Sequence, residues 1–491
     1  MRRTRISYSG SYQPLTAPPA ATPDGLRPEL ADVGRLARRG VRALVGAARA
    51  GERPQLSQVL AAHLGDAAEG LDVVEETWPG YEHVNVQAGV DAWLSLPGRV
   101  HELVGVAGFQ HMHFGLGDLL GSAGEHPHGP RPGNPATVNL ACGPDGEVRA
   151  CQRCAIYLVT EPDGGRAALL LRGASPEMGM AQVSVQLVGT DLAGVAGAAA
   201  EIRAASVEHN VFRGQVLSFG QEVFGHGQTL LQFHRRPELR ADQLVLAPST
   251  LAEIQRQVVD VARHKERLLA AGQHLKRGVL LYGPPGVGKT HTVRYLVSSL
   301  HGTTVIQLTG NALHLIAEAC SVARALQPAM LVVEDVDLIA EDRGVHPGQH
   351  PLLFQLLNEM DGLAEDADVV FVLTTNRADL LEPALAARPG RVDQAVALDL
   401  PDAAARRALF ELYRGDLDVD TSGLDDVLAR TEGVTASFLK ELLRRAALVA
   451  AARTPDGGAL AVSADDLTAA LDELLDTRNA MTRTLLGSLP G

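Results

Sequence analysis

The chain has 491 residues, 46% of them apolar and 21% charged, enough for two to four domains with full hydrophobic cores. Its net charge of −14 counts against a general nucleic-acid binder, whose footprint is normally basic. Four cysteines in so long a chain exclude a disulfide framework and suit a reducing compartment, so the cytoplasm is expected.

Residues 1–26 begin basic and turn polar and proline-rich without an apolar h-region, so they read as a disordered arm rather than a signal peptide or membrane anchor. No uninterrupted apolar run reaches transmembrane length, and no membrane partner is expected. Residues 27–135 read as a helical region with a Gly/Pro/His loop. Leu30, Val33, Leu36, Val41, Leu44 and Val45 recur near helical spacing, and Leu56, Val59, Leu60 and Leu64 do so after a break at residues 51–54. A third helical piece, residues 90–96, precedes Pro97.

His111, His113, His126 and His128 come shortly before Cys142, Cys151 and Cys154. The Cys151–Cys154 spacing raises the question of a Cys3His zinc site. A hairpin is the preferred reading, with Asp145-Gly146 as its turn between strands at 138–142 and 151–159. Residues 166–171 and 183–188 read as strands, 192–208 as a helix, and 216–219 and 229–233 as two further strands. Together residues 136–240 make a small α+β recognition module. Glu208, His209, Asn210, Arg213 and His234 form no acid–base or nucleophile set within it, and structural roles are expected.

Residues 278–290, GVLLYGPPGVGKT, run from a short buried strand into a loop matching G-x-x-x-x-G-K-[ST]. Gly283, Pro284, Pro285, Gly286, Val287 and Gly288 would cradle phosphates. The glycines let successive backbone N–H groups converge on an anion, and the following helix adds its N-terminal donors and positive dipole end. Lys289 supplies charge to the β- and γ-phosphates of ATP, and Thr290 a hydroxyl to Mg2+. Residues 304–308 are the next strand. Apolar residues 330–333 then lead into Glu334, Asp335 and Asp337, which places carboxylates at the carboxyl end of a parallel strand, where ligands sit in α/β sheets. Glu334 is assigned to the Mg2+ shell and Asp335 to the attacking water, with Asp337 as a weaker candidate base. The strand at 369–373 ends in Thr374-Thr375-Asn376, whose amide can position that water or sense the γ-phosphate. Arg388 and Arg391, flanking Pro-Gly, are candidates for γ-phosphate contact from a neighbouring subunit.

GPPGVGKT, the acidic strand end and TTNRADLLEPALAARPGRVDQ (374–394) together resemble the AAA family of ring-forming ATPases. LLNEMDGL (356–363) is similar to that family's segment for signalling between subunits. The resemblance covers about 241–475. It implies an α/β fold: a P-loop NTPase with a three-layer α/β/α core at 241–400, a C-terminal helical lid at 401–477 and a tail at 478–491. It further implies a homo-oligomeric ring, usually a hexamer, that hydrolyses ATP with Mg2+ to remodel or chaperone a protein partner. By the same resemblance Asn376 is the first sensor and Arg388 and Arg391 are the arginine fingers. Helical periodicity places lid helices at 402–413, 424–430, 435–452 and 464–476, with caps at Ser422 and Ser463.

Three departures stand out. The acidic pair runs Glu then Asp, and with LKRGVLLYGPPG (275–286) it resembles the branch that includes the mitochondrial respiratory-complex assembly ATPase. Residues 310–320 hold no aromatic, so threading of unfolded chains through a pore is not expected. The lid reads GVTASFLK (433–440), where Lys440 and Arg444 are either a second sensor or a solvated or partner-binding face. No H-E-x-x-H occurs in the sequence, which favours a motor or chaperone over a complete degrading machine. The competing readings are a slowly hydrolysing, nucleotide-gated scaffold and a nucleic-acid-associated ATPase.

Overall fold

A computed structural model describes residues 55–65, 68–111, 114–121, 130–221, 229–337, 351–379, 381, 392–455 and 459–476. The terminal stretches expected as an arm and a tail lie outside these residues.

The N-terminal part is built on an antiparallel sheet of seven strands: β1 (Val74–Pro79), β2 (Val100–Ala107), β3 (Arg131–Gly133), β4 (Ala136–Ala141), β5 (Val148–Thr160), β6 (Arg166–Arg172) and β7 (Gln182–Gly189). Its order is β1-β7-β6-β5-β2-β3, with β4 paired to the first half of β5. Side chains leave a strand alternately, and β5 uses this to feed two cores. Ala155, Tyr157 and Val159 join Trp78, Trp93 and Ile202 under the helices His83–Leu94 and Leu192–Glu208. Cys154, Ile156 and Leu158 face the opposite way, beneath Leu56–Leu64 and Leu116–Leu120.

The helix expected at Leu56–Leu64 is present, and the piece expected at 90–96 falls largely within His83–Leu94. Residues 27–54 lie outside the described residues. The correction to the helical reading of residues 27–135 is that the region also supplies strands β1, β2 and β3. The strand signal of β1 is masked by its position at the sheet edge, where Glu75 and Glu76 interrupt the apolar alternation. The hairpin reading of residues 138–159 agrees with the register, in which Val138 stands opposite Cys151. Three residues apart on an extended strand, Cys151 and Cys154 point to opposite faces and enter different cores. Burial pushes their thiols up to about 12 and about 11. Among the described residues, no group of three or more His, Cys, Asp or Glu is arranged to hold a metal ion. His113, His126 and His128, and the side chain of His111, lie outside them.

The second sheet also has seven strands: β8 (Val216–Gln221), β9 (Thr229–His234), β10 (Arg277–Tyr282), β11 (Thr304–Leu308), β12 (Ala329–Val333), β13 (Val369–Thr375) and β14 (Gln394–Ala397), in the order β14-β10-β13-β12-β11-β8-β9. All neighbours are parallel except the β8–β9 hairpin. Parallel strands covered on both faces need apolar residues on both, and alternation again divides them. Val279, Leu281, Val305, Val332 and Val372 enter one core, and Leu280, Ile306, Leu331, Val333 and Phe371 the other.

That second core also contains Phe212, Leu217, Phe219 and Leu231, together with Cys151 of β5 and Val84 of the helix His83–Leu94. Residues 216–221 and 229–234 therefore complete the nucleotide-binding sheet and do not belong to the α+β module expected at 136–240. The physical reason is pairing: β8 runs beside β11 with Ile306 opposite Leu217. The N-terminal sheet docks on this hairpin through an edge-to-face contact of Tyr81 with Phe219, 5.8 Å between centroids, and an ion pair between Arg235 and Asp145.

The C-terminal part packs helices Ala403–Arg414, Leu424–Ala429, Ala436–Arg453 and Ala464–Leu475 around their own core. Asp402 and Thr435 cap the first and third by accepting from Ala405 N (2.7 Å) and Phe438 N (3.3 Å). Ser463 caps the fourth, with Asp466 completing the capping box as expected. Ser422 does not cap the second helix: Gly423, at φ 85°, holds the N-cap, and Ser422 N donates to Asp420.

These caps give a test. Ser463→Ala is expected to cost about 1 kcal/mol and to speed hydrogen exchange at the start of Ala464–Leu475. Ser422→Ala should leave exchange at the start of Leu424–Ala429 unchanged.

Candidate nucleotide-hydrolysis site

Strand β13 lies between β10 and β12, so the carboxyl ends of three parallel strands stand side by side. The loop after β10 carries the glycines and Lys289, the end of β12 carries Glu334 and Asp335, and the end of β13 carries Asn376. Gly283 and Gly286 are required by the turn. Gly283 has φ 148°, and a Cβ there would run into the Leu398 carbonyl. Gly286 has φ 82°, and its Cβ would come within 2.9 Å of Thr435 Oγ1 in the helical lid.

Lys289 and Thr290 open the helix Lys289–Ser299 directly after the loop. Lys289 is buried, and its Nζ donates to the carbonyls of Gly283 and Pro284, both at 2.8 Å. Burial lowers its pKa, while the nearby Asp335 and Asp337 act to raise it. Thr290 Oγ1 donates to Glu334 Oε2 at 3.1 Å, which brings together the two groups assigned to Mg2+. Burial raises the pKa of Glu334, partly offset by this bond. A hydroxyl and a carboxylate side by side are hard oxygen donors of the kind Mg2+ takes, and the loop glycines leave backbone donors open to phosphate. These residues fit Mg2+ and ATP.

Asp335 is, among the described residues, the one non-glycine with positive φ, at 53°. Aspartate tolerates that left-handed conformation better than most residues. Its backbone N donates to Thr374 Oγ1 at 3.1 Å, and its carboxylate accepts from Asn376 Nδ2 at 3.3 Å. The turn thus sends the second acid of the pair toward the strand-end amide. Asp337, weighed above as a substitute base, is used otherwise. Its Oδ1 accepts from Thr375 Oγ1 at 2.8 Å and Asn376 N at 3.3 Å, which fixes the end of β13.

Arg388 and Arg391 lie outside the described residues. The lid meets the phosphate loop through Ser437, whose N and Oγ both donate to Gly286 O, at 3.2 and 3.4 Å. Lys440 stands 5.9 Å from the Tyr413 ring centroid, and Arg444 pairs with Glu441 on its own helix, so both of these second-sensor candidates engage lid residues. The sequence reading gave no role to Thr374 or Ser437. The repeated hydroxyls beside Asn376 were the available sign for the first, while the second depends on how the lid docks.

A glycine cradle, its lysine, paired acids on the next strand but one and a sensor amide between them define a P-loop ATPase. Residues 279–400 match the family described as ATPase family associated with various cellular activities (AAA). ATP-dependent zinc metalloprotease FtsH 2 of Sphaerobacter thermophilus is 38% identical over 237 residues, covering 45% of this chain and 36% of that protein. FtsH 3 of Symbiobacterium thermophilum is 30% identical over 277 residues, covering 52% and 44%. FtsH 3 of Sphaerobacter thermophilus is 34% identical over 257 residues, covering 49% and 50%. The chain spans half or less of the length of these curated relatives. Residues 279–400 thus carry an AAA ATPase domain of α/β fold, and that family uses ATP with Mg2+.

Asp335→Asn should lower turnover about 10²–10⁴-fold, the share of a positioned general base, while fluorescent ATP still binds. Gly286→Ala should weaken nucleotide binding itself, because the new Cβ crowds the lid and the backbone is strained there.

Proposed function

We propose that the chain is a Mg2+-dependent ATPase that assembles into a homo-oligomeric ring, a hexamer, and remodels or chaperones a protein partner held by its N-terminal half. The observation that carries this reading is the continuity between site and N-terminal sheet. β8, one strand from β11, shares a core with Val84 and Cys151. A shift at the strand ends during turnover therefore bears on the surface that would hold a partner. Similarity to FtsH proteins, named as ATP-dependent metalloproteases, supports action on a protein.

In this reading Lys289 and the loop amides hold the β- and γ-phosphates. Thr290 and Glu334 hold Mg2+, whose role is to neutralise charge developing on the phosphates. Asp335, oriented by Asn376 and by its bond to Thr374, accepts the proton of the attacking water. Arg388 and Arg391 are arginine fingers supplied to the neighbouring subunit's site. The cytoplasm is the proposed location, in keeping with four free cysteines of which three are buried. A nucleotide-gated scaffold with slow turnover is the second reading, favoured by the short Asp335 side chain where a longer acid would reach further.

Steady-state hydrolysis per subunit is expected to rise with protein concentration and then level off as neighbours complete the sites. Turnover that is flat and negligible while ATP binds would favour the scaffold. A chain carrying both Arg388→Ala and Arg391→Ala should lose on the order of 10³-fold in turnover. Mixing it with Lys289→Ala subunits should restore part of that activity, because each variant retains what the other lacks. Failure of any mixture to recover turnover would refute fingers acting in trans.

A further inference from the structure

A cleft of about 1220 Å³ lies where the N-terminal sheet meets the β8–β9 hairpin, and no residue of the phosphate loop lines it. Residues 137–141 of β4 form one wall and residues 231–234 of β9 another. Alternate side chains leave a strand on opposite faces, so consecutive residues line a single wall when that wall includes the strand's hydrogen-bonding edge. Both edges are open. β4 pairs with β5 and β9 with β8, and among the described residues neither strand has a further backbone partner on its other side. An unpaired edge is a row of donors and acceptors that water satisfies and another strand satisfies better.

The direction of these groups on β4 follows from one bond. Cys142 N donates to Glu147 O, toward β5. N–H directions alternate along a strand, so Leu140 and Val138 also face β5, while Ala141, Asn139 and Thr137 turn their N–H and C=O outward. The Asn139 side chain is exposed. Apolar surface flanks the edges at Phe109 and Phe233, and the Arg153 guanidinium stands 5.5 Å from the Phe109 ring centroid. Among the described residues Arg153 has no carboxylate partner. Glu318, on the ATPase helix Ile316–Ala325, closes another part of the cleft.

We infer that this cleft binds an extended polypeptide segment of the protein partner by strand addition to the outer edge of β4, with an acidic side chain of the segment met by Arg153. Backbone hydrogen bonds supply affinity that tolerates many sequences, and the flanking aromatic surface accepts alternate apolar side chains. A segment lodged there touches the N-terminal sheet, the β8–β9 hairpin and the helix carrying Glu318 together, so its presence is felt by the ATPase sheet. The inference rests on the protein-partner reading above and names the form in which the partner is held.

The test uses the full chain without nucleotide and a fluorescein-labelled synthetic peptide of about ten residues, alternating leucine and serine with one central glutamate. A second peptide carries N-methyl groups on alternate amides. Fluorescence anisotropy is expected to show binding of the first and its loss for the second. Asn139→Pro, which removes an outward N–H and leaves the bonds to β5 in place, should weaken binding on the order of tenfold. Asn139→Ala, which keeps that N–H, should bind as the parent does, and circular dichroism should show both variants folded. Equal binding of the methylated peptide, indifference to Asn139→Pro, or no binding of the first peptide would overturn the inference. A change of subunit number in Asn139→Pro without peptide binding would assign the edge to a second copy of the chain and overturn it equally. Because the assay needs no ATP, a chain that binds peptide but does not hydrolyse ATP refutes the ATPase reading alone. A chain that hydrolyses ATP but ignores peptide refutes this inference alone.

Discussion

The insertion of β13 between β10 and β12 is the constraint on which the rest of the site depends. Parallel strands with covered faces finish at one edge of the sheet, and the groups emerging there have no choice but to meet. The lysine loop, the acidic pair and the sensor amide come from segments separated by dozens of residues, yet they become neighbours because their strands are. Within that arrangement, hydroxyl side chains set the finer geometry. Thr374 receives the Asp335 amide, and Thr375 donates to Asp337. The two acids after β12 that point toward β13 thus do different work, one directed toward the sensor amide and the other holding the strand that carries it.

Contiguous chemistry was easy to read in the sequence. The phosphate loop, the acidic strand end and the lid helices each occupy one uninterrupted stretch whose composition follows local rules, and the structure finds lid helices within a residue or two of their expected bounds. Information that exists only across space was not legible. Asp337 stood out as an acid near the site, but its binding to Thr375 and Asn376 spans 38 and 39 residues and depends on strand order. β1 escaped because its edge position and its glutamates blur a period of two, and β2 because His101 and Glu102 break its apolar run. The Cys-x-x-Cys spacing shows the converse hazard. It suggests ligation until the segment is known to be extended, after which the two thiols must part.

The two halves are joined by more than a linker. Val84 and Cys151 lie in the same apolar core as Phe371 and Leu373, so the N-terminal sheet and the ATPase sheet share buried surface. Close-packed interiors transmit displacement and do not absorb it. The lid meets the ATPase part through two donors of Ser437 on one carbonyl of Gly286 and through Val245, which packs against the lid core.

The shared hairpin also sets where the chain can be divided. Composition and motif place the start of the nucleotide-binding half near residue 241, but a fragment begun there would lack β8 and β9. It would leave the edge of β11 bare and strip Phe212, Leu217, Phe219 and Leu231 from the core beneath it. Such a fragment would offer its copies both an open strand edge and an apolar face, the combination that drives sheet-to-sheet aggregation. The smallest self-sufficient ATPase unit therefore starts before Phe212, some thirty residues earlier than the motifs suggest.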